Sequence, residues 1–276
     1  MCIVQRALVG PNFIHTFPKG EDIGGLTLLN DELYVLRDRD NNQIDIYSTT
    51  NFSLLRQLSV PRVSGRHMRD ITSCSQKQCI YISDNGAVCI RRVGVDVSIS
   101  KWPVKGSPRG LSVTGSCNLL VTCCDWRGRV CKLLELSYEN GECICEIPLE
   151  SNVEWPWHGV QLNNGQYVVC YGTRVNDSRL IQIGRDGKVR GHNTEKEGLE
   201  CPCHMAVDKN GFGFVASVGL KHIPLFDSSL TIVRKVIRLK RPAQRLCFDD
   251  VRKRLYVGQC DGVVIVVQLY NSISQV

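Results

Sequence analysis

Two histidines and two arginines recur at matching places in a repeated phrase, and they are the residues of this sequence most capable of chemistry. The clearest copies read Trp155-Pro156-Trp157-His158-Gly159-Val160, Cys201-Pro202-Cys203-His204-Met205-Ala206 and Arg241-Pro242-Ala243-Gln244-Arg245-Leu246. In each, a polar side chain follows a Pro by two residues, and an apolar residue opens a strand-like run two further on. Looser copies hold the same register around Gly24 to Leu26, Arg69 to Ile71 and Arg109 to Leu111. The polar place then reads Gly24, Arg69, Arg109, His158, His204 and Gln244. Arg66, Lys105, Arg241 and Arg245 lie beside it, with Arg62, His67 and Lys221, and Trp126, Trp155 and Trp157 supply aromatic surface. Cations attract phosphate or acidic side chains, and an indole stacks on a base or anchors a protein partner. The plain alternative packs Trp155 and Trp157 between repeats and leaves the arginines as solvated loop charges.

Metal and nucleophilic chemistry fare worse on the same residues. A catalytic zinc needs three protein ligands and an open position. His158 and His204 supply two, but the equivalent third places are Arg69, Arg109 and Gln244, and cations repel a metal. His67 falls two residues out of register. Cys201-Pro202-Cys203-His204 and the Cys143/Cys145 pair lack a second motif at matching spacing, so burial explains them better. No Gly-x-Ser-x-Gly elbow, phosphate-binding glycine loop or His-Glu-x-x-His is present. No catalytic residue, metal or cofactor is assigned.

The copies recur roughly every forty to fifty residues, a period that means propeller blades or solenoid units. Between them run short segments rich in Val, Ile, Leu, Tyr and Cys, bounded by turn residues such as Asp84-Asn85-Gly86, Asn140-Gly141, Asn164-Gly165, Asp186-Gly187 and Asp261-Gly262. No window carries helical periodicity over three turns. The runs group in fours, but the sixth group stops one strand short. A spare strand at Phe13 to Phe17 can supply the missing piece and remove an exposed edge. The expected fold is all-β: a single domain over residues 1–276, a six-bladed propeller of four-stranded blades, with the N-terminal strand completing the last.

Composition agrees with an ordinary folded domain, at 43% hydrophobic and 22% charged residues. A net charge of +7 is a mild basic excess that permits RNA or an acidic protein without demanding either. The longest apolar run, Val263 to Val267, is too short to span a membrane. The first ten residues contain Arg6 and lack an apolar signal core. Fifteen cysteines, an odd number placed mostly inside apolar runs, point to a reducing compartment. The expected location is cytoplasmic, and the sequons at Asn51 and Asn176 are expected to stay bare.

The Pro-x-polar-x-apolar phrase, followed by Asp208 to Gly211 and a short aromatic-containing strand, resembles an NHL repeat, over roughly residues 10 to 270. NHL repeats build six-bladed propellers, including those at the C-termini of tripartite-motif proteins. The resemblance implies a platform that binds RNA or protein on the face around its channel mouth. No RING or B-box array and no coiled-coil heptad accompanies it. The expectation is a non-catalytic scaffold, monomeric as a domain, with a protein or peptide partner favoured over RNA. The alternative is a metal-dependent hydrolase or lyase using channel histidines, as in peptidyl-amidoglycolate lyases.

Overall fold

Alternation is the pattern that builds this fold, because strand side chains point to opposite faces in turn. The computed structural model describes residues 8–37, 43–60, 68–94, 96–125, 130–173, 177–193 and 199–271. They form six antiparallel four-stranded sheets. Blade one comprises β2 (Ile23–Leu29), β3 (Glu32–Arg37), β4 (Gln43–Ser48) and β5 (Leu54–Ser59). Blade two comprises β6 (Met68–Cys74), β7 (Cys79–Asp84), β8 (Cys89–Gly94) and β9 (Ile99–Pro103). Blade three comprises β10 (Ser107–Val113), β11 (Leu119–Cys124), β12 (Cys131–Leu136) and β13 (Cys143–Pro148). Blade four comprises β14 (Pro156–Gln161), β15 (Tyr167–Tyr171), β16 (Arg179–Ile183) and β17 (Val189–His192). Blade five comprises β18 (Pro202–Val207), β19 (Gly213–Ser217), β20 (His222–Phe226) and β21 (Ile232–Arg238). Blade six joins β22 (Ala243–Asp249), β23 (Arg254–Gln259) and β24 (Val264–Asn271) to β1 (Leu8–Thr16).

The six-bladed propeller and its closure by the N-terminal strand are as expected. β1 pairs with β24 from Leu8 opposite Asn271 to Thr16 opposite Ile265. Phe17 then continues the contact, its amide donating to the Val264 carbonyl. No helix among the described residues is long and apolar enough to cross a membrane.

Both faces of the middle strands are buried, which is why they read as nearly continuous apolar runs. In β7, Tyr81 packs with Leu119 and Val121 of blade three, while Ile80 and Ile82 pack with Leu36 and Ile44 of blade one. In β11, Leu119 and Val121 face blade two, and Leu120 faces Tyr167 and Val169 of blade four. Each apolar cluster is therefore shared between two neighbouring sheets, and the last joins Tyr256 and Val266 of blade six to Leu33 and Val35 of blade one. Outer strands such as β5 are largely exposed. No described cysteine is in a disulfide; Cys79, Cys89, Cys123, Cys131 and Cys170 are buried as small hydrophobes, whereas Cys145 and Cys247 are half-buried and Cys143 is exposed.

The inner strands begin earlier than the apolar runs suggest. Pro156 and Pro202 are the first strand residues and Pro108 the second, and all three are buried. Pro is tolerated there because an innermost strand has one edge with no ladder partner.

Candidate functional site

Every innermost strand carries a bulge at the same place, and the bulges decide which side chains meet on the axis. The register with the second strand slips between Ile23 and Gly25, Met68 and Asp70, Pro108 and Leu111, Pro156 and His158, Pro202 and His204, and Ala243 and Arg245. A bulge adds one residue to one strand and re-aims the side chains beside it. The equivalent ring is therefore Gly25, Asp70, Gly110, His158, His204 and Arg245. The sequence reading had Gly24, Arg69, Arg109 and Gln244 in four of those places, each one residue early. The two histidines were placed correctly.

Asp70, on blade two, lies between side chains of blades four and five. Its Oδ1 stands 3.5 Å from His204 Nε2 and its Oδ2 3.8 Å from His158 Nε2, with all three residues buried. The carboxylate is fixed by two backbone amides: Ile71 N donates to Oδ1 at 2.9 Å and Leu111 N to Oδ2 at 2.8 Å. Burial pushes the Asp70 carboxyl up, but His204, His158 and Arg245 pull harder, and its pKa ends below the ordinary carboxylate value.

The imidazoles stack at 4.0 Å between centroids. His158 Nε2 lies 2.9 Å from the Leu111 carbonyl, which can only accept, so Nε2 carries the proton and the lone pair stays on Nδ1. Burial, then the neighbouring His204, drives the His158 pKa down to about 3 against the opposing pull of Asp70, so the ring is neutral. His158 Nδ1 and both nitrogens of His204 are buried with no hydrogen-bond partner.

Arg245 closes the ring from blade six. Its Nε donates to Gly24 O, and its two terminal nitrogens donate to Gln244 O and Arg69 O, each at 2.9 Å. It thus ties blade six to blades one and two. The two glycines are fixed by space. A Cβ on Gly25 would meet Ile71 N at 2.6 Å, and one on Gly110 would meet Trp157 O at 2.4 Å and His158 Cα at 2.7 Å. Those neighbours are backbone and cannot swing aside. Gly110→Ala is expected to displace β14 and cost about 1–3 kcal/mol, as overpacking does. Urea unfolding of the purified variant checks this, and an unchanged midpoint would contradict the contact.

Above the ring opens a cavity of about 390 Å³, lined in part by Asp22, Arg69, Arg109, Trp157, His204, Gln244 and Arg245. Six of the expected face residues thus come together: Arg69, Arg109, Trp157, His204, Gln244 and Arg245. His158 lies beneath, in contact with His204. Trp155 lines an adjoining cavity of about 340 Å³ and meets the first through Arg109, whose guanidinium sits 4.8 Å from the ring centroids of both Trp155 and Trp157. Trp157 Nε1 donates to Gly172 O at 3.2 Å. Lys105 and Arg241 are exposed and line neither cavity; Arg241 lies 3.9 Å from Asp261. Arg66 and Trp126 lie outside the described residues, as do Arg62, His67 and Asn176.

Trp155 and Cys201, each just before a Pro that opens an inner strand, both hold positive φ, at 54° and 50°. That region is uncommon for residues with a Cβ, and the pair marks matched strained entries into the strands that carry the two histidines.

Asp70 is the residue sequence reasoning missed. The signal was present: Pro108 and Pro156 are equivalent, which puts Gly110, not Arg109, opposite His158, and the same step moves Arg69 to Asp70.

No protein-family model and no curated protein matches the chain. Solved structures do. Hydrazine synthase from Kuenenia stuttgartiensis superposes with a TM-score of 0.66 at 12% identity, over 91% of this chain and 84% of that one. Virginiamycin B lyase from Staphylococcus aureus, a catalytically inactive histidine-to-alanine form solved with quinupristin, gives 0.63 at 12% identity over 98% of both chains. At that identity the likeness establishes the fold and nothing finer. The protein is a six-bladed β-propeller, and the NHL resemblance rests on its residues alone.

Proposed function

We propose that this propeller is a non-catalytic scaffold whose channel mouth takes an acidic segment of a protein partner. The observation that carries the reading is Arg109. Its guanidinium lies over two indole rings, yet its Nη1 is buried without a hydrogen-bond partner. A buried donor left unmade costs free energy, and a ligand carboxylate would satisfy it with a charge-assisted bond. Arg69 and Arg245 line the same cavity and add to a positive field. Trp157 offers apolar surface at the rim.

The test is fluorescence anisotropy with a labelled Glu/Asp-rich peptide, run in EDTA, against a single-stranded RNA of similar length. The peptide is expected to bind, and Arg109→Ala to weaken it by about tenfold or more, the range for a bond to a charged group. RNA binding instead, with log affinity falling steeply against log salt, and no peptide binding would overturn the reading. At 12% identity the fold shared with virginiamycin B lyase carries no activity across. A hydrolase or lyase reading would need substrate turnover, which a metal on Asp70, His158 and His204 would not by itself establish.

A further inference from the structure

The ring beneath the cavity has features that acidic-peptide binding does not use. Asp70, His158 and His204 each offer a ligand atom, and these lie within 4.8 Å of one another. The 3.5 Å and 3.8 Å separations between the Asp70 oxygens and the two Nε2 atoms are long for hydrogen bonds. The Asp70 Oδ1–His204 Nε2 separation of 3.5 Å is close to the spacing of two ligands on one tetrahedral cation, about 3.3–3.4 Å for bonds of about 2.0–2.1 Å. Three imidazole nitrogens are buried with nothing to bond to. Such orphans are rare in folded proteins and call for a ligand.

We propose that Asp70, His158 and His204 form a binding site for a first-row divalent cation of the zinc type, with its open coordination position facing the central cavity. Two imidazoles and one carboxylate suit zinc or cobalt(II), and are too few and too nitrogen-rich for calcium. The supporting shell is in place. Leu111 O holds the His158 Nε2 proton, which leaves Nδ1 as the ligating atom, and the amides of Ile71 and Leu111 orient the carboxylate. Asp70 and His204 line the cavity wall. Arg245 stands nearby as a fixed positive charge held by three backbone carbonyls, so the open position favours an anionic fourth ligand over a neutral one.

The site spans blades two, four and five, which are brought together only by the closed ring. The objection from sequence, that the third equivalent place holds a cation, vanishes once the bulge puts Asp70 there instead of Arg69.

The experiment uses the full chain, stripped with EDTA and kept reduced, and titrated with zinc or cobalt(II) ions alone. One ion per chain is expected by calorimetry, with a cobalt(II) visible spectrum free of thiolate charge-transfer bands. His204→Ala is expected to weaken binding on the order of 100-fold or more, because it removes one of the three ligands outright. A thiolate band, or affinity unchanged in His204→Ala, would place the ion on cysteines and overturn the proposal. If His204→Ala fails to fold, imidazole ¹⁵N NMR of the unaltered chain decides. Two of the six histidines are expected to shift at one equivalent of zinc, and a titration that moves none, or others, would overturn it. Peptide binding in EDTA is independent of this result, so the two readings fail separately.

Discussion

Asp84→Ala is expected to lose about 3–5 kcal/mol of folding stability, the cost of leaving one member of a buried ion pair alone. Arg91 is fully buried, and Asp84 Oδ2 accepts from its Nε at 2.8 Å and its Nη2 at 2.6 Å. Asp84 Oδ1 also accepts from the Ala87 amide at 3.0 Å, so one carboxylate closes a turn and neutralises a guanidinium. Without it, the guanidinium has no counter-ion and no route to water, and its Nη1 already lacks a partner. The midpoint of thermal unfolding should fall on the order of 10 °C. A paired change, Asp84→Leu with Arg91→Met, should recover most of the loss, because apolar groups of similar volume replace buried pairs at little cost. A fall of less than about 1 kcal/mol in the single variant would mean that Arg91 reaches solvent.

Removal of residues 1–16 is expected to have the larger consequence in solution. It strips β1 from β24 and exposes a strand that reads Val264-Ile265-Val266-Val267, whose outer edge is then unpaired. An apolar edge of that length is a template for pairing with other chains. The truncated chain should elute as large species on size exclusion, or lose its cooperative transition. A synthetic peptide covering residues 8–17 should restore the elution volume of the full chain by refilling the edge. A truncated chain that stays monomeric and melts cooperatively would show that closure by β1 is dispensable.

How far the sequence carries the reader depends on which interaction sets each feature. The blades were legible because two periodicities coincide: alternation along each strand, and turn residues such as Asn164-Gly165 and Asp261-Gly262 between strands. Gly165 and Gly262 do hold positive φ, at 80° and 83°. The closure by β1 was legible from a deficit, a sixth group one strand short. The axis residues were half legible. His158 and His204 follow buried prolines, but the register beyond them depends on a bulge, which leaves no mark on hydrophobic alternation. Gly159 lies opposite Val169, as Ile71 lies opposite Ile82 and Leu111 opposite Val121. Being Gly, it gave no apolar signal, so the phrase was counted to Val160, and the other copies followed that count. One residue of slip replaced Asp70 by Arg69 and reversed the sign of the charge facing the histidines.

The shared clusters between sheets carry a consequence for how such a chain can change. No sheet has an interior of its own, since each apolar cluster is built half from one neighbour and half from the next. Duplicating or excising one repeat would therefore rebuild two interiors at once and alter the angle available to every other sheet. The number of repeats is locked by side-chain complementarity around the whole circumference, and sequence can drift within a sheet far more readily than the count of sheets can move.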